Sequence, residues 1–222
     1  MQSIISLRHV QKSHGVGRNF VRVLQDFNLD VEAGEFVALM GPSGSGKTTL
    51  LNLMGGLDHP DGGEVVVAGT HLEKLSSRLS TRWRARHIGF VFQSHNLLSI
   101  LSASANVELP LFLKPMSRAE RSRRVDEALR SVGLAERATH KPGEMSGGQQ
   151  QRVGIARAVI ADAPILLCDE PTADLDRETA DDILGLLRNL AAEGGKTIVM
   201  VTHDPEAARQ ATRQISLQQL RV

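Results

Sequence analysis

A glycine-rich stretch contains the first residues whose types and spacing could do chemistry. Residues 41–48 have the sequence Gly-Pro-Ser-Gly-Ser-Gly-Lys-Thr, which matches G-x-x-x-x-G-K-[ST] at every fixed position. Glycines let backbone N–H groups surround phosphate oxygens, a lysine adds positive charge, and a threonine hydroxyl can bind Mg²⁺. We therefore predict a phosphate-binding loop made of Gly41, Pro42, Ser43, Gly44, Ser45, Gly46, Lys47, Thr48 and Thr49.

Two carboxylates could complete this site. Asp169 and Glu170 follow the apolar run Ile165–Cys168, which has the pattern of a buried strand. Because parallel strands end at one edge of an open α/β sheet, both acids should lie near the phosphates. We expect Asp169 to hold Mg²⁺ together with Thr48, and Glu170 to polarise the attacking water. The alternative is a strand that ends in two solvated acids.

Strand and helix patterns alternate around these motifs and indicate a parallel sheet covered by helices. Strands are predicted at 4–10, 21–31, 36–40, 64–68, 87–93, 165–168, 197–202 and 214–220. Helices are predicted at 48–55, 179–190 and 205–211. Residues 102–161 have a mostly helical pattern, in which Ser117 and Glu120 have the spacing of a capping box. The sequence thus predicts an α/β fold with a helical insertion.

Composition narrows the classes of function. The 222 residues have a formal net charge of +1, which gives no indication of nucleic-acid binding. The N-terminus lacks the pattern of a signal peptide, and no apolar run approaches the roughly 18 residues needed to cross a bilayer. The single cysteine, Cys168, has the apolar neighbours of a core residue, and the histidines other than His203 lack the spacing of zinc ligands.

A second motif opens a helical pattern near the end of the insertion. Residues 145–149, Met-Ser-Gly-Gly-Gln, resemble the LSGGQ signature of ATP-binding cassette (ABC) ATPases, with methionine in place of leucine. Further matches follow in the family's order, namely Gln93 as the glutamine loop, Asp174 and Asp176 in the D-loop, and His203 as the switch histidine. The resemblance covers nearly the whole chain.

This resemblance implies a fold and a domain organisation. It implies one ABC ATPase domain over 1–222, of the α/β P-loop NTPase (RecA-like) class. The sheet would be mostly parallel, with N-terminal antiparallel strands and an inserted helical signature subdomain. Residues 1–93 and 159–222 would form the nucleotide-binding core, and residues 94–158 the helical subdomain.

The resemblance also implies ATP and Mg²⁺ as cofactors, and a dimer of this chain or of homologous cassettes around two ATP molecules. The signature residues that would act on the ATP of the other subunit are Ser146, Gly147, Gly148 and Gln149. Gln93 would contact the metal or the attacking water. His203, which follows the strand predicted at 197–202 and so lies at the same edge of the sheet, would contact the γ-phosphate. Family members usually stack an aromatic residue on adenine, and here His14 has that position, with Phe20 as an alternative.

The partner implied by the resemblance is a separate membrane permease, which would hold the chain at the cytoplasmic face of the inner membrane. Residues 53–58, 87–93, 106–110 and 149–151 resemble the lipoprotein-releasing and macrolide-exporter type of ABC ATPase. The region Gln93–Pro110 would bind the permease, through apolar residues that could equally be core: Leu97, Leu98, Leu101, Val107 and Leu109.

Two further alternatives stay open from the sequence. The chain could be a switch that regulates cell-envelope machinery, or a soluble ABC ATPase that acts on nucleic acid or ribosomes. Residues 114–141 have a net charge of +4, from eight basic and four acidic residues, which is typical of a surface near anionic lipid or of a solvated helix face.

Overall fold

The computed structural model of the chain describes residues 3–15 and 21–217, and within them the strands form two sheets. The antiparallel sheet has the order β2-β1-β4-β5 and contains β1 (Ser3–His14), β2 (Val21–Glu32), β4 (Gly62–Val67) and β5 (Thr70–His71). The parallel sheet has the order β6-β7-β8-β3-β9 and contains β3 (Phe36–Met40), β6 (Ile88–Val91), β7 (Ile165–Asp169), β8 (Thr197–Thr202) and β9 (Arg213–Ser216). The predicted fold class is confirmed.

Helices connect the parallel strands and cover them. They are α1 (Lys47–Met54), α2 (Ser77–His87), α3 (Ala103–Glu108), α4 (Arg118–Ser131), α5 (Gly147–Val159), α6 (Arg177–Ala192) and α7 (Pro205–Ala208). None of the helices among the described residues is both long and apolar enough to span a bilayer.

The parallel sheet is buried on both faces, and alternation along β3 shows how. Val37 and Leu39 pack with Leu50 of α1 on one face. Phe36 and Ala38 pack on the other face, in the cluster that includes side chains of α5 and α6. Because successive residues of a strand point to opposite faces, a strand between two helical layers must be apolar throughout. This explains the uninterrupted apolar runs of β3, β7 and β8.

A third cluster of buried side chains lies between α3, α4 and α5. It includes Val107, Leu129, Met145 and Val153. Ser117 begins α4 as predicted, since its Oγ accepts a hydrogen bond from the N–H of Glu120 at 3.2 Å. The Glu120 carboxylate does not complete the predicted box, because Arg123 and Arg124 bind it instead.

Several predicted boundaries were wrong. Helix α2 was missed, and His87 ends this helix rather than starting a strand, because β6 begins at Ile88. The only side chains of α2 that are buried are Ser80 and Trp83, so the helix has little apolar periodicity to detect. The last predicted strand is formed over Arg213–Ser216; its residues 218–220, like Phe20, lie outside the described residues.

Candidate nucleotide-binding site

The predicted phosphate loop lies between the end of β3 and the start of α1. Gly44 and Gly46 have φ angles of 82° and 86°, a region that residues with a Cβ rarely adopt. A Cβ on Gly41 would lie 2.5 Å from Ser45 Oγ and 2.9 Å from the carbonyl oxygen of Leu217. The loop therefore depends on glycine at these positions, and it leads directly into the positive N-terminal end of α1.

Lys47 is held inside this loop with only 8% of the residue exposed. Its ammonium group donates to the carbonyl oxygens of Gly41 at 2.6 Å and Pro42 at 3.0 Å. It also lies 3.9 Å from Glu170 Oε1. A fixed positive charge at the base of a backbone cradle can bind a phosphate group.

Thr48 and Asp169 meet from opposite sides of the site. The Thr48 hydroxyl donates to the Asp169 carboxylate, at 3.1 Å from Oδ2. Burial is the main cause that raises the pKa of Asp169, and the negative charge of Glu170 adds to it. A bound cation would compensate this buried negative charge. Mg²⁺ takes hydroxyl and carboxylate oxygens together with phosphate oxygens, so this donor pair fits Mg²⁺.

Glu170 and His203 are brought together by neighbouring strands. Asp169, the last residue of β7, pairs with Val201 of β8, so the residues that follow each strand lie side by side. Glu170 Oε2 lies 2.9 Å from His203 Nδ1 and accepts the backbone N–H of His203 at 3.3 Å. Glu170 has a φ angle of +46°, a strained conformation that neighbouring contacts must stabilise. The carboxylate is thereby fixed close to Lys47.

A cavity of about 370 Å³ joins most of the predicted residues. It is lined by Val23, Ser43, Gly44, Gly46, Lys47, Thr48, Thr49, Gln93, Asp169 and Glu170. Gln93 reaches it from the segment after β6. His14, at the end of β1, lies beside it, with Nε2 3.3 Å from Thr49 Oγ1.

Val23 was not predicted as part of this site. It lines the cavity, and its Cγ1 lies 2.9 Å from where a Cβ on Gly46 would be. It belongs to the antiparallel sheet, and its sequence neighbours carry no signal of contact with the loop.

The signature residues lie elsewhere. Ser146 begins α5, and its Oγ accepts the N–H of Gln149 at 3.3 Å while Gln149 Oε1 accepts the N–H of Ser146 at 3.1 Å. Ser146 and Gly147 are exposed, and neither lines the cavity that contains Lys47. A single chain therefore does not bring its signature residues to its own phosphate loop.

The two D-loop aspartates differ in their contacts. Asp174 is exposed and has a φ angle of +64°. Asp176 begins α6 and accepts hydrogen bonds from Thr179, at 3.0 Å from its N–H and 2.7 Å from its hydroxyl. Asp176 therefore stabilises the start of α6, while Asp174 is free to contact another molecule.

Gln151 is a buried polar residue whose contact was not predicted. It is 1% exposed, and its Nε2 donates to the carbonyl oxygen of Pro171 at 2.8 Å. This bond joins the signature helix α5 to the segment that directly follows Glu170. The sequence shows only that Gln151 belongs to a run of glutamines.

The signature helix also packs closely against α6, which gives a testable prediction. A Cβ on Gly148 would lie 2.3 Å from Thr179 Cγ2, and Thr179 cannot rotate freely because its hydroxyl binds Asp176. We expect Gly148→Ala to lower the free energy of unfolding by about 1–3 kcal/mol, as overpacking does, in chemical denaturation.

The matched control is Thr179→Ser, which removes Cγ2 and keeps the hydroxyl for Asp176. The double variant Gly148→Ala/Thr179→Ser should recover most of the lost stability. Equal losses in the single and double variants would show that this contact does not explain the glycine.

Comparisons with known proteins agree with this geometry. A family model described as "ABC transporter" matches residues 24–173. The chain is similar to the lipoprotein-releasing system ATP-binding protein LolD of Chromohalobacter salexigens, with 49% identity over 93% of this chain and 87% of LolD. It is also similar to the macrolide export ATP-binding/permease protein MacB 1/2 of Paracoccus denitrificans, with 44% identity over 96% of this chain. The chain spans only 32% of that longer protein.

A solved structure is similar over nearly all of both chains. It is the dimeric structure of a post-hydrolysis state of the ATP-binding cassette MJ0796 bound to ADP and Pi, with 45% identity and a TM-score of 0.91. The match covers 97% of this chain and 94% of that one; MJ0796 comes from Methanocaldococcus jannaschii. The chain belongs to the ABC transporter family and is one of its ATP-binding, P-loop ATPase cassettes.

Proposed function

We propose that this chain binds and hydrolyses ATP as a dimer and drives a separate membrane permease. The observation that carries the dimer is the separation, within one chain, between the exposed signature residues Ser146 and Gly147 and the cavity that contains Lys47. A second copy can place its signature helix N-terminus against the phosphates, where the helix dipole stabilises negative charge. The similar MJ0796 structure is dimeric and contains ADP and Pi.

The contacts of the site residues support a role for each of them. Lys47 and the loop glycines bind the β- and γ-phosphates, and Thr48, Asp169 and Gln93 hold Mg²⁺. When bound, Mg²⁺ neutralises charge that develops on the phosphate oxygens. Glu170 accepts a proton from the attacking water, since its carboxylate lies next to Lys47 inside the cavity.

Other residues orient the nucleotide or connect the two sites. His203 fixes the Glu170 carboxylate through the 2.9 Å contact and would contact the γ-phosphate. His14 stacks on the base, next to Thr49. Asp174 is exposed on the D-loop and contacts the second copy, as do Ser146, Gly147, Gly148 and Gln149.

We further propose that residues 94–158 act as a helical subdomain on a core formed by residues 1–93 and 159–222. The separate apolar cluster of α3, α4 and α5 supports this division, although Ile160 and Leu186 of the core also belong to it. Removal of the γ-phosphate then changes the contacts of the signature helix and lets the dimer open.

The permease would bind at an apolar groove in and beside the region Gln93–Pro110. The groove is a cavity of about 290 Å³, lined mainly by Gly89, Phe90, Phe92, Pro110, Leu113 and Ala158. None of the five apolar residues considered from the sequence, Leu97, Leu98, Leu101, Val107 and Leu109, lines this cavity. Val107 is 0% exposed and belongs to the core, the alternative that the sequence left open, whereas Leu98 is 48% exposed.

The similarity to LolD and MacB supports a permease of the lipoprotein-releasing or macrolide-exporter type. Binding to such a permease would place the chain at the cytoplasmic face of the membrane as a peripheral subunit. ATP hydrolysis would then be transmitted to the permease through the groove.

A complementation experiment tests the shared sites. Ser146→Arg should spare ATP binding by the monomer, because Ser146 lies outside the cavity. The same variant should abolish hydrolysis, because the arginine blocks the approach of α5 to the phosphates of the ATP bound by the other subunit. Lys47→Ala chains should be inactive for a different reason, the loss of their own phosphate site. Mixing the two variants in equal amounts should restore about a quarter of the wild-type hydrolysis on random pairing, measured as phosphate release.

The control is each variant mixed with itself at the same total concentration. Restored activity in the mixture alone supports sites built from two chains. An inactive mixture of well-folded variants that still form dimers would contradict the proposal.

A further inference from the structure

The surface around the groove has a strong local excess of positive charge. Residues 74–119 contain one acidic residue, Glu108, and seven basic ones, a formal charge of +6 in a chain whose total is +1. Glu108 is itself paired with Arg121 at 2.8 Å. The segment contributes lining residues to the groove from α2, from β6 and the residues after it, and from the residues after α3, such as Ala85, Phe92 and Leu113.

Three arginines of α2 form what we call the arginine face, made of Arg78, Arg82 and Arg86. They are four residues apart, so they lie on one side of the helix over about 12 Å. All three are exposed, and their side chains make no hydrogen bond or ion pair with the described part of the chain. By contrast, Arg84 of the same helix donates to the carbonyl oxygen of Gly56 at 2.8 Å.

The arginine face lies next to one of the exposed apolar side chains of this segment, Leu113. Among the described residues, seven large apolar side chains are exposed, and five of them lie in this segment: Leu79, Leu98, Ile100, Phe112 and Leu113. A cavity of about 450 Å³ is lined by Arg82, Arg86 and Leu113, and Leu113 also lines the groove. The positive charge therefore lies at the rim of the apolar groove.

The other basic segment of the chain is different. For residues 114–141 the sequence left open a surface near anionic lipid or a solvated helix face, and three of their six arginines pair with carboxylates. Arg123 binds Glu120 at 2.9 Å, and Arg124 binds the same carboxylate at 3.0 Å. Arg118 and Arg130 of α4 are exposed and have no ion pair among the described residues, but they are far apart on the helix. Helix α2, by contrast, presents three such arginines on one side.

We propose that the arginine face selects a permease segment that carries carboxylates. Its apolar residues would fill the groove, and its Asp or Glu side chains, about one helical turn apart, would pair with Arg82 and Arg86. This inference rests on the proposed function and adds the chemistry of the partner. A concave groove of about 290 Å³ favours a peptide over a bilayer, whose headgroup surface has no side chains to fill it.

Membrane binding by charge-reversed variants tests the inference. The variant is Arg82→Glu/Arg86→Glu. The control is Arg130→Glu/Arg188→Glu, which has the same charge change at two exposed arginines that pair with no acid of residues 3–15 or 21–217. Membranes of the cells that produce the chain are washed free of it, and binding of each protein is measured by sedimentation. We expect the first variant to bind about tenfold more weakly or worse, because like charges then face each other. Both variants should keep the ATPase activity of the isolated chain.

A conservative variant locates the partner's carboxylates. Arg82→Lys/Arg86→Lys keeps the charge and should keep membrane binding. A carbodiimide can then join the new amines to carboxylates in contact with them, and mass spectrometry identifies the linked residues. Links to Asp or Glu of an integral membrane protein support the inference.

Three results would overturn it. Equal membrane binding by wild type and Arg82→Glu/Arg86→Glu would show that the arginine face selects nothing. Binding of wild type to protein-free vesicles of the same lipids, lost in this variant, would assign the face to a lipid surface. Failure of wild type and control alike to bind the membranes would reject the permease itself, and with it this inference.

Discussion

Replacing Glu170 by glutamine is expected to preserve ATP binding, slow hydrolysis by about 10²- to 10⁴-fold, and accumulate an ATP-bound dimer. The amide has the shape of the carboxylate, and its oxygen can still accept the N–H of His203 that now binds Oε2 at 3.3 Å. It cannot accept a proton from water. Phosphate release measures hydrolysis, and light scattering with ATP and Mg²⁺ measures the dimer.

The control for this variant is Glu127→Gln, a surface change on α4 that removes an exposed pair with Arg123. It should hydrolyse ATP at the wild-type rate and form no lasting dimer. If Glu170→Gln stays monomeric with ATP and Mg²⁺ while wild type hydrolyses normally, the assignment of the catalytic carboxylate and the shared sites is wrong.

The sequence predicts the part of this site that is encoded locally. The phosphate loop is contiguous, and its glycines have a direct backbone reason, which the φ angles of Gly44 and Gly46 now show. A general rule about the ends of parallel strands predicted that Glu170 and His203 lie at the same edge of the sheet. The sequence did not predict the 2.9 Å contact between these two residues or the strained φ angle of Glu170, because both depend on the register of β7 and β8.

Sequence patterns did not predict the contacts between elements that are distant along the chain. The hydrogen bond from Gln151 to Pro171 and the close approach of Gly148 to Thr179 join α5 to segments 20 or more residues away. A buried glutamine has no local signature that distinguishes it from its exposed neighbours. These contacts fix α5, the helix that we propose to meet the second copy, to the segment that carries Glu170.

Helix α2 is a second feature that sequence patterns did not predict. Its arginines gave no apolar period, so the helix was missed, although the lack of acidic residues between Glu73 and Glu108 was visible in the sequence. Only the structure shows that Arg78, Arg82 and Arg86 share one exposed face next to the groove. The sequence alone predicts that a segment has an excess of positive charge. It does not predict on which surface of the folded chain that charge lies.

Replacing Lys47 by alanine is expected to weaken ATP binding about tenfold to a hundredfold. The reason is that the variant loses one or more hydrogen bonds to a charged group. The ammonium group is buried and fixed by Gly41 and Pro42 at the loop that would surround the phosphates, so water cannot fully replace its charge. Calorimetric titration of the purified chain with ATP and Mg²⁺ measures the affinity.

Alanine also leaves the carbonyl oxygens of Gly41 and Pro42 without their donor, so part of its effect could come from a less stable loop. Lys47→Gln separates the two causes, because it keeps an N–H donor and removes the charge. We expect Lys47→Gln to unfold closer to wild type than Lys47→Ala in thermal denaturation, and to bind ATP as weakly. Wild-type affinity in the glutamine variant would show that the charge of Lys47 does not hold the phosphates, and would reject the cradle as assigned.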